Sequence, residues 1–237
     1  MTELLNLAES GREALIAFTQ RLVQTPSMPG QEGEVAALLR AEMEYLGYDE
    51  VRVDKVGNVV GRIAGGDGPA LMFNGHMDHV AAGDPALWRH PPFAGEIEKG
   101  ELWGRAAADM KGALAAMVYA GSVVRKLGVT LPGDVYVSGV VQEEVGGLGA
   151  RHLARTWASG HDLENPGRVV IGEASANHLR RGHRGRVELQ VHLAGRSVHA
   201  SMPDLGANPH FSLARFLQGL QTMQMAAEPA YGSSTVA

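Results

Sequence analysis

The stretch Leu71-Met72-Phe73-Asn74-Gly75-His76-Met77-Asp78-His79 constrains this chain more than any other. A short apolar run of strand type ends in a glycine, and a histidine and a carboxylate follow two residues apart. Side chains alternate faces in extended backbone, so His76 and Asp78 point the same way. His76 can then bind a metal through one ring nitrogen while the Asp78 carboxylate takes a hydrogen bond from the other. That second bond fixes the tautomer and raises the basicity of the ligand. The plainer reading of the tripeptide alone is a His and an Asp in a surface turn, so the residues downstream decide.

The chain has 237 residues and no cysteine. Disulfides and thiolate zinc sites are excluded, and any metal must be held by His, Asp and Glu. A net charge of -5 offers no basic field for nucleic acid or an anionic membrane. No apolar run approaches the ~20 residues of a membrane span, and Met1-Thr2-Glu3-Leu4-Leu5-Asn6 lacks the basic start and apolar core of a secretory signal. The expectation is a cytoplasmic protein with neither nucleic acid nor membrane as partner. The run Arg180-Arg181-Gly182-His183-Arg184-Gly185-Arg186 resembles an RNA-binding patch, but one short run in an acidic chain reads as a solvated hinge or a carboxylate-binding edge.

Along the chain, apolar periodicity predicts a helix over 10–24 and another over about 32–46, split by Thr25-Pro26-Ser27-Met28-Pro29-Gly30. Val51 to Ile63 alternates as strand residues around a Gly57-Asn58 turn, and a strand follows over Ala70–Phe73. A long loop, the kind that is usually functional, runs from His79 to Ala108 with a hairpin over 96–103. A helix over 113–127 and apolar strands over 134–141 and 168–171 complete an α/β layer with a mixed central sheet flanked by helices. Past His183, alternation over 184–193 predicts a half-exposed strand, and a helix runs to about Met225.

Carboxylates stand at the joints of this pattern. Asp109 lies just ahead of a helix, where an N-cap is the ordinary role. Glu143 and Glu144 follow a buried strand. In a regular strand they would face opposite ways, but Gly146, Gly147 and Gly149 let the chain leave strand geometry so that both reach one site. Glu173 sits just past another strand. Ligand sites in open α/β sheets gather at the carboxyl ends of strands, and so many acids in one cleft would repel without cations. One imidazole with several carboxylates suits zinc, and also cobalt or manganese, and the count fits a two-metal hydrolase.

The ordered motifs Gly75-His76-Met77-Asp78, Gly104-Arg105-Ala106-Ala107-Ala108-Asp109-Met110-Lys111-Gly112, Glu143-Glu144 and Gly172-Glu173-Ala174 resemble the co-catalytic zinc metallopeptidases. That family includes acetylornithine deacetylase, succinyl-diaminopimelate desuccinylase, aminoacylase and glutamate carboxypeptidase. The resemblance implies a zinc-exopeptidase-like catalytic domain over 1–181 and, over 182–237, the start of an inserted α+β lid or dimerisation domain. It implies His76 and Glu173 as ligands of one zinc, Glu144 of the other, Asp109 as the bridge with a cis peptide to Met110, and Asp78 behind His76. Glu143 would be the general base, tuned by burial, in the hydrolysis of an N-acyl amino acid or small peptide by a metal-bridging water. His199 would reach a partner subunit's site to stabilise the oxyanion, Asn208 would touch substrate, and a full-length chain would form a homodimer through the lid.

Members of the family are longer and take a further histidine ligand near their C-terminus. None of His152, His161, His178, His183, His192 or His210 lies in a matching context. The chain therefore reads as a fragment with an exposed apolar sheet edge, either one half of an enzyme or a catalytically impaired metal-binding or dimerising module.

Overall fold

The computed structural model describes residues 2–158, 166–183, 185–228 and 232–235. They form two units, Met1–Asn177 and His178–Ala237, with the break slightly ahead of the boundary expected after residue 181.

Helix α2 (Arg12–Gln24) stands where periodicity predicts one over 10–24, and a further helix that the pattern does not predict, α1 (Thr2–Ser10), precedes it. Next come α3 (Gly33–Tyr45) and the antiparallel pair β1 (Glu50–Val53) and β2 (Val59–Ile63). Their turn forms because Asp54 Oδ1 accepts the N–H groups of Val56, Gly57 and Asn58 at 2.9–3.0 Å, a local competition with the ladder that short acidic side chains win. Strand β3 (Leu71–His76) runs past the Phe73 at which the apolar pattern stops, because Gly75 and His76 still find ladder partners in Gly139 and Val140. The expected hairpin is present as β4 (Glu96–Glu98) and β5 (Glu101–Trp103). A π-helical turn, Ala107–Lys111, leads into α4 (Gly112–Leu127), followed by β6 (Val135–Val140), α5 (Leu148–Ala158) and β7 (Arg168–Ile171).

The central sheet has the order β1-β2-β6-β3-β7. Strands β1, β2 and β6 pair antiparallel, whereas β3 pairs parallel with both β6 and β7. The sheet is therefore mixed, and the carboxyl ends of β3, β6 and β7 share one edge. Alternation sorts its residues. One face packs Val59, Ile63 and Val137 against Phe18 and Leu22 of α2, Leu39 and Met43 of α3 and Leu114 and Val118 of α4. The other packs Val60, Met72, Tyr136 and Val140 against Leu153 and Trp157 of α5. Each such side chain contributes ~1.5–3 kcal/mol on burial. Strand β7 is outermost and leaves Val169, Val170 and Ile171 exposed, which is the apolar edge expected from the sequence.

The second unit contains α6 (Pro209–Thr222), a bridge between Arg196 and Ala207, and the short pair β8 (Ala227–Glu228) and β9 (Gly232–Ser233). Residue 184 lies outside the described residues, and 185–193 forms no strand despite its alternation. Alternation marks a face but supplies no partner for the ladder. No helix among the described residues is long and apolar enough to cross a membrane.

Asp134, just ahead of β6, pins the β2–β3 connection. It accepts from Arg62 Nε (2.5 Å), the Tyr136 hydroxyl (3.2 Å) and Gly65 N–H (2.7 Å). Burial works to raise its carboxyl, but Arg62, the Gly65 N–H and Tyr136 outweigh burial and hold it below the usual range. Asp134→Ala should lower the unfolding free energy by ~1–3 kcal/mol. The folded carboxyl titrates below its unfolded value of ~3.9, so the difference should be full above that pH and shrink as pH falls through the depressed folded value. Urea unfolding of both proteins at several pH values measures this.

Candidate metal centre

His76 is the last residue of β3, and its ring is buried. Nδ1 lies 3.0 Å from the main-chain oxygen of Asp78 and 3.5 Å from its Oδ1. Both neighbours only accept, so Nδ1 carries a proton and Nε2 is the nitrogen that faces the cleft. There Nε2 stands 3.2 Å from Asp109 Oδ1 and 3.7 Å from Glu173 Oε1. A Glu144 carboxylate oxygen joins them, with ligand atoms of His76, Asp109 and Glu144 all within 4.8 Å of one another. The four residues expected to hold metal thus come together at the shared edge of β3, β6 and β7.

Asp78 does more than the sequence reading assigns to it. Its Oδ1 accepts the Glu143 N–H at 3.0 Å and its Oδ2 the Glu144 N–H at 3.1 Å. One buried carboxylate therefore lies beside the imidazole and also holds the backbone of the two acids that follow β6.

The turn that brings those acids round begins ahead of them. Gln142, a non-glycine, has φ +54, and Gly146 and Gly147 add φ +121 and +70 further on. The glycines thus complete a departure from strand geometry that Gln142 starts. Asn58, fully buried, ties the two stems of this loop together. Its Oδ1 accepts the Val141 N–H at 3.1 Å and its Nδ2 donates to the Gly149 carbonyl at 3.0 Å. Glu143 is exposed, so the burial expected of it is not found.

Asp109 sits inside the π-helical turn with non-helical φ -129 and ψ 92, and its peptide bond to Met110 is cis, as the resemblance implies. The N-cap reading is not realised, because α4 has no side-chain cap and Asp109 faces His76 instead. The glycines at 75 and 172, just ahead of His76 and Glu173, have a packing reason. A Cβ at Gly75 would lie 2.6 Å from Met110 Cε, and one at Gly172 would lie 3.0 Å from it, with Met117 pressing on both. Their absence lets both strand ends close on the residue next to Asp109. Lys111, fully buried, anchors the turn by donating from Nζ to the carbonyls of Leu22 (2.8 Å) and Thr25 (2.6 Å).

His199 and Asn208 belong to the second unit. His199 is exposed and pairs locally with Ser201, whose N–H it accepts at 3.2 Å. Asn208 caps α6 by accepting the His210 N–H at 3.0 Å, a role that Asn ahead of Pro makes legible. Sequence reasoning missed Ser27 and His79. Ser27 donates from Oγ to the Met77 carbonyl (2.7 Å) and from N to His79 Nε2 (2.9 Å), stitching the loop after α2 to the end of β3. No spacing signal joins residues 52 positions apart.

Peptidase family M20/M25/M40 matches residues 72–233. The chain belongs to this family. The uncharacterised protein YgeY of Escherichia coli is 33% identical over 222 residues, covering 93% of this chain and 53% of its own. Succinyl-diaminopimelate desuccinylase of Paracoccus denitrificans is 33% identical over 212 residues, covering 86% of this chain and 55% of its own. An M20 family metallo-carboxypeptidase from Sulfolobus solfataricus shares the fold with a TM-score of 0.65 at 20% identity, over 92% of this chain and 50% of that one. The chain spans about half the length of the curated relatives it matches.

The electrostatics of this M20 chain fit a cation. Burial raises the carboxyls of Glu144 and Glu173, the charges of Asp109 and Glu143 raise both further, and His76 only partly offsets this. Burial acts against a charged His76 ring, but Asp78 and Glu173 overcome it and lift the ring to about 9. Asp78 itself is held low, because its pull toward neutrality by burial is outweighed by His76 and the two N–H groups. Nitrogen and hard oxygen donors around a common point suit zinc, cobalt or manganese.

In the metal-free protein the proton on His76 stabilises the fold fully below the unfolded value of ~6.5, and that contribution is lost as pH rises through about 9. A metal must displace that proton. Zinc titration of this chain by calorimetry should therefore release protons at pH 7 and weaken as pH falls. Affinity independent of pH would contradict this account.

Proposed function

We propose that this chain is the metal-holding half of a hydrolase that cleaves the amide bond of an N-acyl amino acid or small peptide. The observation that carries the proposal is the placement of His76 Nε2, 3.2 Å from Asp109 and 3.7 Å from Glu173 with Glu144 alongside. His76 and Glu173 would hold one divalent cation, Glu144 the other, and Asp109 would serve both. Zinc is the first choice, with cobalt or manganese able to substitute. When bound, the cations supply Lewis acidity and lower the pKa of water toward neutrality.

The chain's own residues do the rest. Glu143, exposed on the same loop as Glu144, takes the proton from the attacking water and hands it to the leaving amine. Asp78 keeps Glu143 and Glu144 in place through their N–H groups. In the second unit, read as a lid and dimerisation domain, His199 is assigned to a partner subunit's oxyanion. Asn208, whose Oδ1 is engaged in capping α6, keeps its amide N–H groups for substrate. The name of the desuccinylase relative supports a substrate of the N-acyl amino acid class.

The test is an assay of the whole gene product with added zinc or cobalt against N-acetyl, N-succinyl and N-formyl amino acids, alongside Glu143→Ala. The variant should bind metal as the wild type does and lose hydrolysis by ~10²–10⁴-fold. Hydrolysis retained in the variant would remove Glu143 from its role. Metal binding without hydrolysis in the wild type would leave a metal-binding or dimerising module.

A further inference from the structure

Three consecutive main-chain N–H groups lead into the metal centre, and a buried carboxylate oxygen accepts each one. Asp78 takes those of Glu143 and Glu144. The first, at Gln142, goes to Glu32 Oε1 at 2.9 Å, across 110 residues of sequence.

Glu32 occupies the N-cap position of α3, yet its side chain makes no capping bond there. Only 4% of it is exposed, whereas an acid that merely faced the helix dipole would sit comfortably in water. Burying a carboxylate is costly unless it is hydrogen-bonded, and this one is turned away from its own helix toward the loop after β6. What it holds there is unusual. Gln142 adopts φ +54, a region that is costly for a non-glycine residue and persists only where its surroundings enforce it. The carbonyl side of Gln142 is also secured, since it accepts the Gly147 N–H at 2.7 Å. Released from Glu32, the residue could return to extended geometry, and the two acids after it would again point to opposite faces.

We propose that Glu32 is a positioning residue for the metal centre, locking through the Gln142 N–H the left-handed step that delivers Glu143 and Glu144 to the cleft. The proposal rests on the reading of Glu143 as base and Glu144 as ligand.

A helix-capping role and a positioning role rank the conservative substitutions in opposite orders. Aspartate keeps the charge and is a preferred N-cap, but it is one methylene too short to reach Gln142. Glutamine loses the charge but keeps an Oε1 acceptor at the same reach. In the whole gene product, Glu32→Gln should keep zinc affinity by calorimetry, kcat and KM within about threefold of wild type. Glu32→Asp should weaken zinc at one site by about tenfold or more and lower kcat by about tenfold or more, the range found for groups that orient ligands from behind. Its KM should stay near that of the wild type. Glu32→Asp behaving as wild type, or Glu32→Gln failing as badly as Glu32→Asp, would overturn the proposal. A wild type that hydrolyses none of the acyl amino acids would defeat the reading of Glu143 as base, and the zinc affinities of the three proteins would still decide the role of Glu32.

Discussion

Negative charge gathered around one imidazole nitrogen governs the architecture of the first unit. Asp109, Glu173 and Glu144 approach His76 Nε2 from three separate connections. Carboxylates so placed raise one another's affinity for protons, and a ring pushed up to about 9 is the countercharge the protein itself can offer. A divalent cation answers the same need more fully. The sheet serves this demand. Parallel pairing of β3 with β6 and β7 aligns three strand ends at one edge, and hydrogen bonds and close packing behind that edge do the fine placement.

That backing has two parts with different physics. One is apolar: Met110 and Met117 press against the glycine ahead of His76 and the glycine ahead of Glu173, so the cores of two strand ends and the π-helical turn are a single packed layer. Flexible thioethers fill such irregular space well. The other is polar and almost wholly buried. Asp78, Asn58 and Glu32 each accept main-chain N–H groups of the segment after β6. Unsatisfied buried N–H groups are costly, so each acceptor specifies one backbone path and disfavours its neighbours. An exposed Glu143 is thereby carried on a well-anchored backbone.

Much of this was legible along the chain. Helix α3, the β1–β2 hairpin, β6 and β7 follow from local periodicity and turn chemistry, which act over a few residues. His76, Asp109, Glu144 and Glu173 stand out because each follows or precedes an apolar element with a glycine nearby, and their family order makes the set specific. Other features were not legible. The alternation over 185–193 has no ladder partner among the described residues. Asn58 reads as a turn residue and Glu32 as a helix-start acid, because their partners lie 83 and 110 residues away and no local pattern encodes such a distance.

Residue types and their order, then, determined that this chain builds a mixed α/β layer with an imidazole and carboxylates at its strand ends, since propensity, periodicity and donor chemistry are properties of short segments. Only the tertiary structure decided which nitrogen of His76 faces the acids, that Asp78 serves two neighbours at once, and that a non-glycine carries the decisive left-handed step. Those outcomes depend on which groups meet after the chain has folded, and the cost of leaving a buried donor or charge unpaired is set by that meeting alone.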